Sequence, residues 1–161
     1  MDYASLIVEF GARYGIEGLA ADENGIAGFE ADGRTVVLQK LPETEAVVAT
    51  VDVGAGVESG AAVVNRLLMT ANQALYAADG MAVVQQLENG PYRLMYRFDV
   101  AGLDFVGFDA KMGRFLDLAE KWSAFLEKFA PIAADVEVKG ADAVAATPAP
   151  DFPLAGDMMR V

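Results

Sequence analysis

The side chains of this chain that can do chemistry are carboxylates, lysines and tyrosines, because it contains no His and no Cys. The missing residue types exclude His-dependent nucleophilic catalysis, thiolate nucleophiles and imidazole or thiolate metal ligands. A pair of carboxylates can still perform acid–base catalysis, but no pair has a spacing that marks it as converging. We therefore predict that the protein is not an enzyme.

Two short clusters match ligand-binding loops only in part. Residues 54–56 (GAG), followed by Gly60, lack the glycine spacing of a dinucleotide-binding turn. Residues 22–25 (DENG) begin like a calcium loop, but no bidentate Glu follows at the required position. We predict neither a nucleotide site nor a metal site, and no cofactor.

The surface charge is strongly acidic and unevenly distributed. The chain has 24 acidic and 12 basic residues, a net charge of −12, and residues 1–60 hold 11 acids against three bases. Such a surface repels phosphate, which disfavours nucleic acid and anionic membranes as partners. It suits a basic or poorly folded polypeptide, although solubility alone is a sufficient explanation of the charge.

No segment of the sequence has the pattern of a membrane span or a secretion signal. No apolar run approaches the length of a bilayer-spanning helix, and the first residues have neither a basic region nor an uninterrupted apolar stretch. We therefore expect a cytoplasmic protein.

The clearest structural element is a long amphipathic helix over residues 104–129. Asp104 is its predicted N-cap, and Pro131 is predicted to end it. Apolar residues recur at steps of three and four, so that they share one face. They are Phe105, Phe108, Met112, Phe115, Ala119, Trp122, Leu126 and Phe129. A stripe this broad requires a sheet to cover it.

The remaining elements follow from periodicity and from turn residues. A first helix covers residues 2–14, where Gly11 indicates a close backbone contact and Gly15 a stop. A second, apolar on most of its circumference, covers residues 60–76 and begins after a predicted Ser59 cap. The predicted strands are 26–31, 35–41, 45–53, 81–87 and 92–98. Hairpin turns are predicted at Asn24-Gly25, Asp32-Gly33 and Asn89-Gly90.

This order predicts an α+β fold, with an antiparallel sheet, helices packed on it and the sequence α-β-β-β-α-β-β-α. We expect one domain over residues 1–130. Residues 131–161 are rich in Ala and Pro, which predicts a flexible tail.

Four local strings occur in one order along residues 3–129. They are Phe10-Gly11 with Gly15-Ile16, Asp32-Gly33 with Val36-Val37-Leu38, Leu67-Leu68 with Asn72, and Ala119-Glu120-Lys121-Trp122. In this order, and in an acidic chain, they resemble the class I type III secretion chaperones, the Tir-chaperone-like family. The resemblance implies a cytoplasmic homodimer without catalysis, which holds the N-terminal region of a secreted effector in extended form and supports its secretion.

An extended effector segment needs apolar patches and a free strand edge. Candidate effector-binding residues lie on the first helix and the first strands, although core packing is an alternative role for each. They are Leu6, Phe10, Ile26, Phe29, Val36 and Leu38. The apolar tail residues Phe152, Leu154 and Met158 can occupy the same groove in the free protein.

The candidate dimer contact lies on the second helix and the fourth strand, which have more apolar positions than one core needs. Its residues are Val64, Leu68, Leu75 and Val83, and packing within one chain is the alternative. Two other functions stay open. One is a regulatory or adaptor module on the same fold that binds a folded partner, and the other is a carboxylate-based enzyme or small-ligand binder.

Overall fold

The computed structural model describes residues 1–57, 59–87 and 90–139, and only the backbone of residues 137–139. The described elements are α1 (Tyr3–Tyr14), β1 (Ile26–Ala31), β2 (Arg34–Lys40), β3 (Ala46–Gly54), α2 (Ala61–Asp79), β4 (Met81–Gln85), β5 (Tyr92–Asp99) and α3 (Phe105–Lys139). The predicted α+β class and element order are confirmed.

The five strands form one antiparallel sheet in the order β1-β2-β3-β5-β4. Alternate residues of each strand are buried on one face, as the period of two requires, and the helices pack on that face. α1 contacts β1 through the rings of Phe10 and Phe29, whose centroids are 5.5 Å apart. α3 contacts β3, and α2 contacts β4 and α3. On the opposite face, side chains such as Val37, Thr50 and Met95 are half-buried.

The three predicted hairpin turns have different outcomes. Asp32 and Gly33 have φ of 49° and 73° between the paired residues Ala31 and Arg34, which is the type I′ turn their sequence predicts. The Asn24-Gly25 prediction is wrong as a hairpin, because these residues lead from a loop into β1. Asn89 lies outside the described residues, and β4 ends two residues earlier than predicted.

α1 is bounded as its sequence predicts. The carboxylate of Asp2 accepts a hydrogen bond from the Ser5 N–H at 2.8 Å, and Gly15 ends the helix with φ 69°. A Cβ on Gly11 would lie 2.8 Å from the Cβ of Leu19. The predicted close contact at Gly11 is therefore confirmed, and it lets the loop after α1 fold back on the helix.

α2 differs from the prediction at both ends. Its N-cap is Gly60, with φ 81° and no side-chain cap, rather than Ser59. The helix continues three residues beyond the predicted end, to Asp79. The buried side chain of Asp79 accepts a hydrogen bond from Arg114 Nε at 2.6 Å. This ion pair joins the C-terminal end of α2 to α3.

α3 begins as predicted, because Asp104 accepts a hydrogen bond from the Gly107 N–H at 2.8 Å. The predicted stop at Pro131 is wrong, since the helix contains Pro131 and runs to Lys139. The first nine residues of the predicted tail therefore belong to α3. A Cβ on Gly60 would lie 2.5 Å from the carbonyl carbon of Ala133, and Ala133 is fully buried. This packing holds the helix together beyond the proline.

Candidate protein-binding surfaces

Most of the predicted effector-binding residues lie in the core of the single chain. Five of the six are buried in the core between the helices and the sheet: Leu6, Phe10, Phe29, Val36 and Leu38. Ile26 is the exception, with 37% of its surface exposed. Direct contact of the five with a partner would require the elements that cover them to move, so their role in binding stays a prediction, and Ile26 is the one whose side chain is accessible from solvent.

The buried side chain of Tyr3 joins α1 to β2. Its hydroxyl donates a hydrogen bond to the Leu38 carbonyl at 3.2 Å. Burial, with a smaller contribution from the charge of Asp22, raises the pKa of Tyr3 to about 12. The hydroxyl therefore stays protonated at neutral pH and remains a donor.

β1 is an edge strand, and part of its edge has no partner. The Lys40 N–H donates to the Gly25 carbonyl, so by the antiparallel alternation the backbone groups of Ile26, Gly28 and Glu30 point away from β2. Ile26 exchanges two hydrogen bonds with Asp22, both at 2.8 Å. Among the described residues, the outward N–H and C=O groups of Gly28 and Glu30 have no partner. We call this segment the uncapped β1 edge.

β4 is the opposite edge strand, and α2 supplies it with a partner. The side-chain amide of Asn72 donates to the Val83 carbonyl at 2.8 Å and accepts from the Val83 N–H at 2.8 Å. These two bonds reproduce what a neighbouring strand would make. The middle of β4 is therefore closed to strand addition, and we call it the capped β4 edge.

The predicted dimer residues Val64, Leu68, Leu75 and Val83 are all buried within the one chain. A second copy cannot reach them directly, so their place in an interface stays a prediction. Exposed apolar side chains lie elsewhere on α2: Met69 is 77% exposed and Tyr76 is 68% exposed. Residues seven apart are two turns apart on one side of a helix. α2 therefore has a second, uncovered face that includes Met69 and Tyr76.

A groove of about 330 Å³ lies between the end of β3, the start of α2 and the second half of α3. Residues 53–57 form its floor, and Val64, Ser123, Leu126 and Ala130 are among its walls. Glu127 is the acidic side chain among its described lining residues. A Cβ on Gly54 would approach Leu126 Cδ1 to 3.1 Å. We call this feature the β3–α3 groove.

The described residues contain no group of three or more acidic side chains that could hold a metal ion. None of their helices is long and apolar enough to cross a membrane.

Asn72 caps the edge of β4, a role that the sequence did not predict. It appeared only as a member of the string that includes Leu67 and Leu68. A signal was present, because Asn is a poor helix former, and an Asn in a helix of Ala and Leu suggests a specific hydrogen bond. The partner, Val83, is set by tertiary packing.

The sequence model of the Tir chaperone protein (CesT) family matches residues 5–123, and no curated protein matches the chain. This chain is similar to a chain in the solved structure of the ExsC–ExsE complex, with 28% sequence identity and a TM-score of 0.67. The match covers 78% of this chain and 97% of the other. The HopA1–SchA chaperone–effector complex matches at 15% identity and a TM-score of 0.61, covering 76% and 93%.

A third match is the Yersinia pestis type III secretion chaperone SycH, solved with a stable fragment of YscM2. It is 19% identical, with a TM-score of 0.55 and coverage of 73% of this chain and 96% of the other. At such identities the last two likenesses concern the fold. The family model spans most of the described domain, from α1 into α3. This chain therefore belongs to the Tir chaperone protein (CesT) family.

Proposed function

We propose that this chain is a non-catalytic cytoplasmic chaperone that binds the N-terminal region of a secreted effector in extended form and supports its secretion. The family membership and the ExsC–ExsE match support a role in binding a partner protein. The observation that carries the proposal is the uncapped β1 edge at Gly28 and Glu30. An extended peptide can add there as a further strand, with its backbone hydrogen-bonded to β1.

The surroundings of this edge favour an unfolded polypeptide. Ile26 is exposed at the start of β1, so an apolar side chain of an added strand has a place to pack. The net charge of residues 1–60 is −8 by the counts above, which favours a partner segment with basic residues.

The first test is to capture partners of the tagged chain from a lysate of its own host and to subject the captured complex to brief proteolysis. Mass spectrometry should find one dominant secreted protein that is protected over an N-terminal stretch. A folded partner that is protected nowhere in particular would contradict the proposal and favour a regulatory module.

Two substitutions of Gly28 locate the contact. Gly28→Pro removes the outward N–H without breaking the β1–β2 hydrogen bonds, and proline is tolerated at strand edges. Gly28→Ala keeps the N–H, and its Cβ would lie 3.7 Å from the nearest heavy atom. We expect Gly28→Pro to reduce the affinity for the captured partner about tenfold and Gly28→Ala to leave it nearly unchanged. Equal affinities would exclude strand addition at β1.

We also propose that the protein is a homodimer whose contact uses the uncovered face of α2. Met69 and Tyr76 are large exposed apolar side chains, and such surface is commonly an interaction site. We expect Met69→Asp to give a monomer in light scattering after size exclusion, while wild type gives twice 17.0 kDa. Ala124→Asp, on an exposed position of α3, is the matched control. A dimeric Met69→Asp protein would exclude this contact.

A further inference from the structure

The β3–α3 groove is built partly from residues beyond the family match. The match ends at residue 123, whereas Leu126, Glu127 and Ala130 of the groove wall come after it. α3 itself continues to Lys139, and 22 further residues, 140–161, follow it in the sequence. The predicted placement of Phe152, Leu154 and Met158 in the effector groove concerns these residues and lies outside the described part of the chain. Part of the groove wall and the whole of this C-terminal segment therefore lie outside the region that the family model matches.

The C-terminal segment is long enough to return to the groove. Ala130 is nine residues before Lys139, which is about 14 Å along a helix. Phe152 is 13 residues after Lys139, and an extended chain of that length spans about 43 Å. The extended length of the segment therefore exceeds the distance back to Ala130, and the excess allows the chain to reverse its direction.

The composition of the segment matches the groove. Phe152, Leu154, Met158 and Met159 are its largest apolar side chains, in a segment that is otherwise mostly Ala, Pro, Gly and Asp. Its one basic residue is Arg160, and Glu127 is the acidic residue among the described lining residues of the groove. A groove of about 330 Å³ has the size of a small ligand pocket.

We infer that residues 152–160 of the same chain bind in the β3–α3 groove, with their apolar side chains against the floor at 53–57 and Arg160 paired with Glu127. Tethering gives the segment a millimolar effective concentration at the groove, so a weak contact is sufficient. The segment then covers this apolar surface, and any partner that uses the groove must displace it. This inference does not depend on the proposed function.

A spin label tests the contact directly, and the absence of Cys allows a single label at Ala155→Cys. We expect paramagnetic broadening of the amide signals of residues 54–57 and 123–130 to less than half intensity. The amide of Phe105, at the start of α3 and about 32 Å along the helix from Leu126, is the internal control. Ala55→Asp, at an exposed position in the groove floor, should abolish the selective broadening. Uniform or absent broadening, or no effect of Ala55→Asp, would overturn the inference.

A charge exchange and a mixing experiment complete the test. Glu127→Lys should weaken the broadening, and adding Arg160→Glu should restore it. Failure of the second change to restore the broadening would exclude this pairing.

In the mixing experiment, spin-labelled chain of natural isotopic abundance is added to isotopically enriched chain that has no spin label. We expect no selective broadening of the amide signals in this mixture. Broadening in that mixture would assign the groove to a second copy and overturn the inference.

Discussion

The two edges of the sheet differ in what completes their backbone hydrogen bonds. At β4, the amide of Asn72 bonds both outward groups of Val83. At β1, Asp22 bonds Ile26, but the outward groups of Gly28 and Glu30 have no partner among the described residues. An unprotected edge invites pairing with another chain. The difference teaches that this fold permits strand addition at one edge and prevents it at the other.

The capped edge depends on α2 being held in position at both ends. Gly60 packs against Ala133 at one end, and Asp79 pairs with Arg114 at the other. Among the described residues, no helix side chain bonds the outward groups of the uncapped β1 edge. Its central residue is Gly28, but the backbone conformation and the space at this position do not require a glycine. Three substitutions test these differences.

The largest effect is expected for Gly60→Ala, which acts on the support of the capped edge. The new Cβ would meet the Ala133 backbone at a positive φ of 81°, so the free energy of unfolding should fall by about 3 kcal/mol. Urea unfolding followed by the fluorescence of the buried Trp122 measures it. Gly102→Ala is the control, because Gly102 has φ 71° but open space around it. An equal loss in both variants would refute the packing argument.

A smaller effect is expected for Asn72→Ala, which uncaps β4 directly. Both polar groups of Val83 lose their partner, and the free energy of unfolding should fall by about 2 kcal/mol. Light scattering should also detect concentration-dependent association through the newly open edge. Gln73→Ala, at the next and exposed position, should change stability by less than about 0.5 kcal/mol. A stable Asn72→Ala protein that does not associate would remove the distinction between the edges.

The smallest effect, of opposite sign, is expected for Gly28→Val on the uncapped edge. The nearest heavy atom to a new Cβ is 3.7 Å away, and valine favours strands, so unfolding should require about 0.5 kcal/mol more. Gly25→Val is the contrasting control and should lower the free energy of unfolding, since Gly25 has φ 73° and a Cβ there would lie 3.1 Å from the Cβ of Lys40. Destabilisation by Gly28→Val would mean that the fold itself needs this glycine.

Local signals in the sequence predicted most of the fold. The type I′ turn at Asp32-Gly33, the caps of α1 and the apolar face of α3 depend on residues close together in the chain, and each is confirmed. The sequence did not predict the helix beyond Pro131, because a proline inside a helix costs about 3 kcal/mol and the continuation is accompanied by the packing of Ala133 on Gly60. That contact joins residues far apart in sequence.

The candidate surfaces were harder to predict for a related reason. An apolar face on α1 or α2 indicates that something covers it, but the pattern does not distinguish a partner from the chain's own sheet. Leu6, Phe10, Leu68 and Leu75 are covered by their own chain. Exposure of Met69 and the pairing of Asn72 with Val83 depend on how α2 lies beside β4, which no local pattern specifies.

Pro131 has a further consequence for hydrogen exchange. Because proline has no N–H, the Glu127 carbonyl one turn earlier has no helical donor, and the ladder of α3 is interrupted there. The last turns can therefore open as a unit once the contact of Ala133 with Gly60 is broken, while residues 105–126 stay packed on the sheet. We expect the amides of residues 132–139 to exchange as one cooperative unit, much earlier than the amides around Trp122.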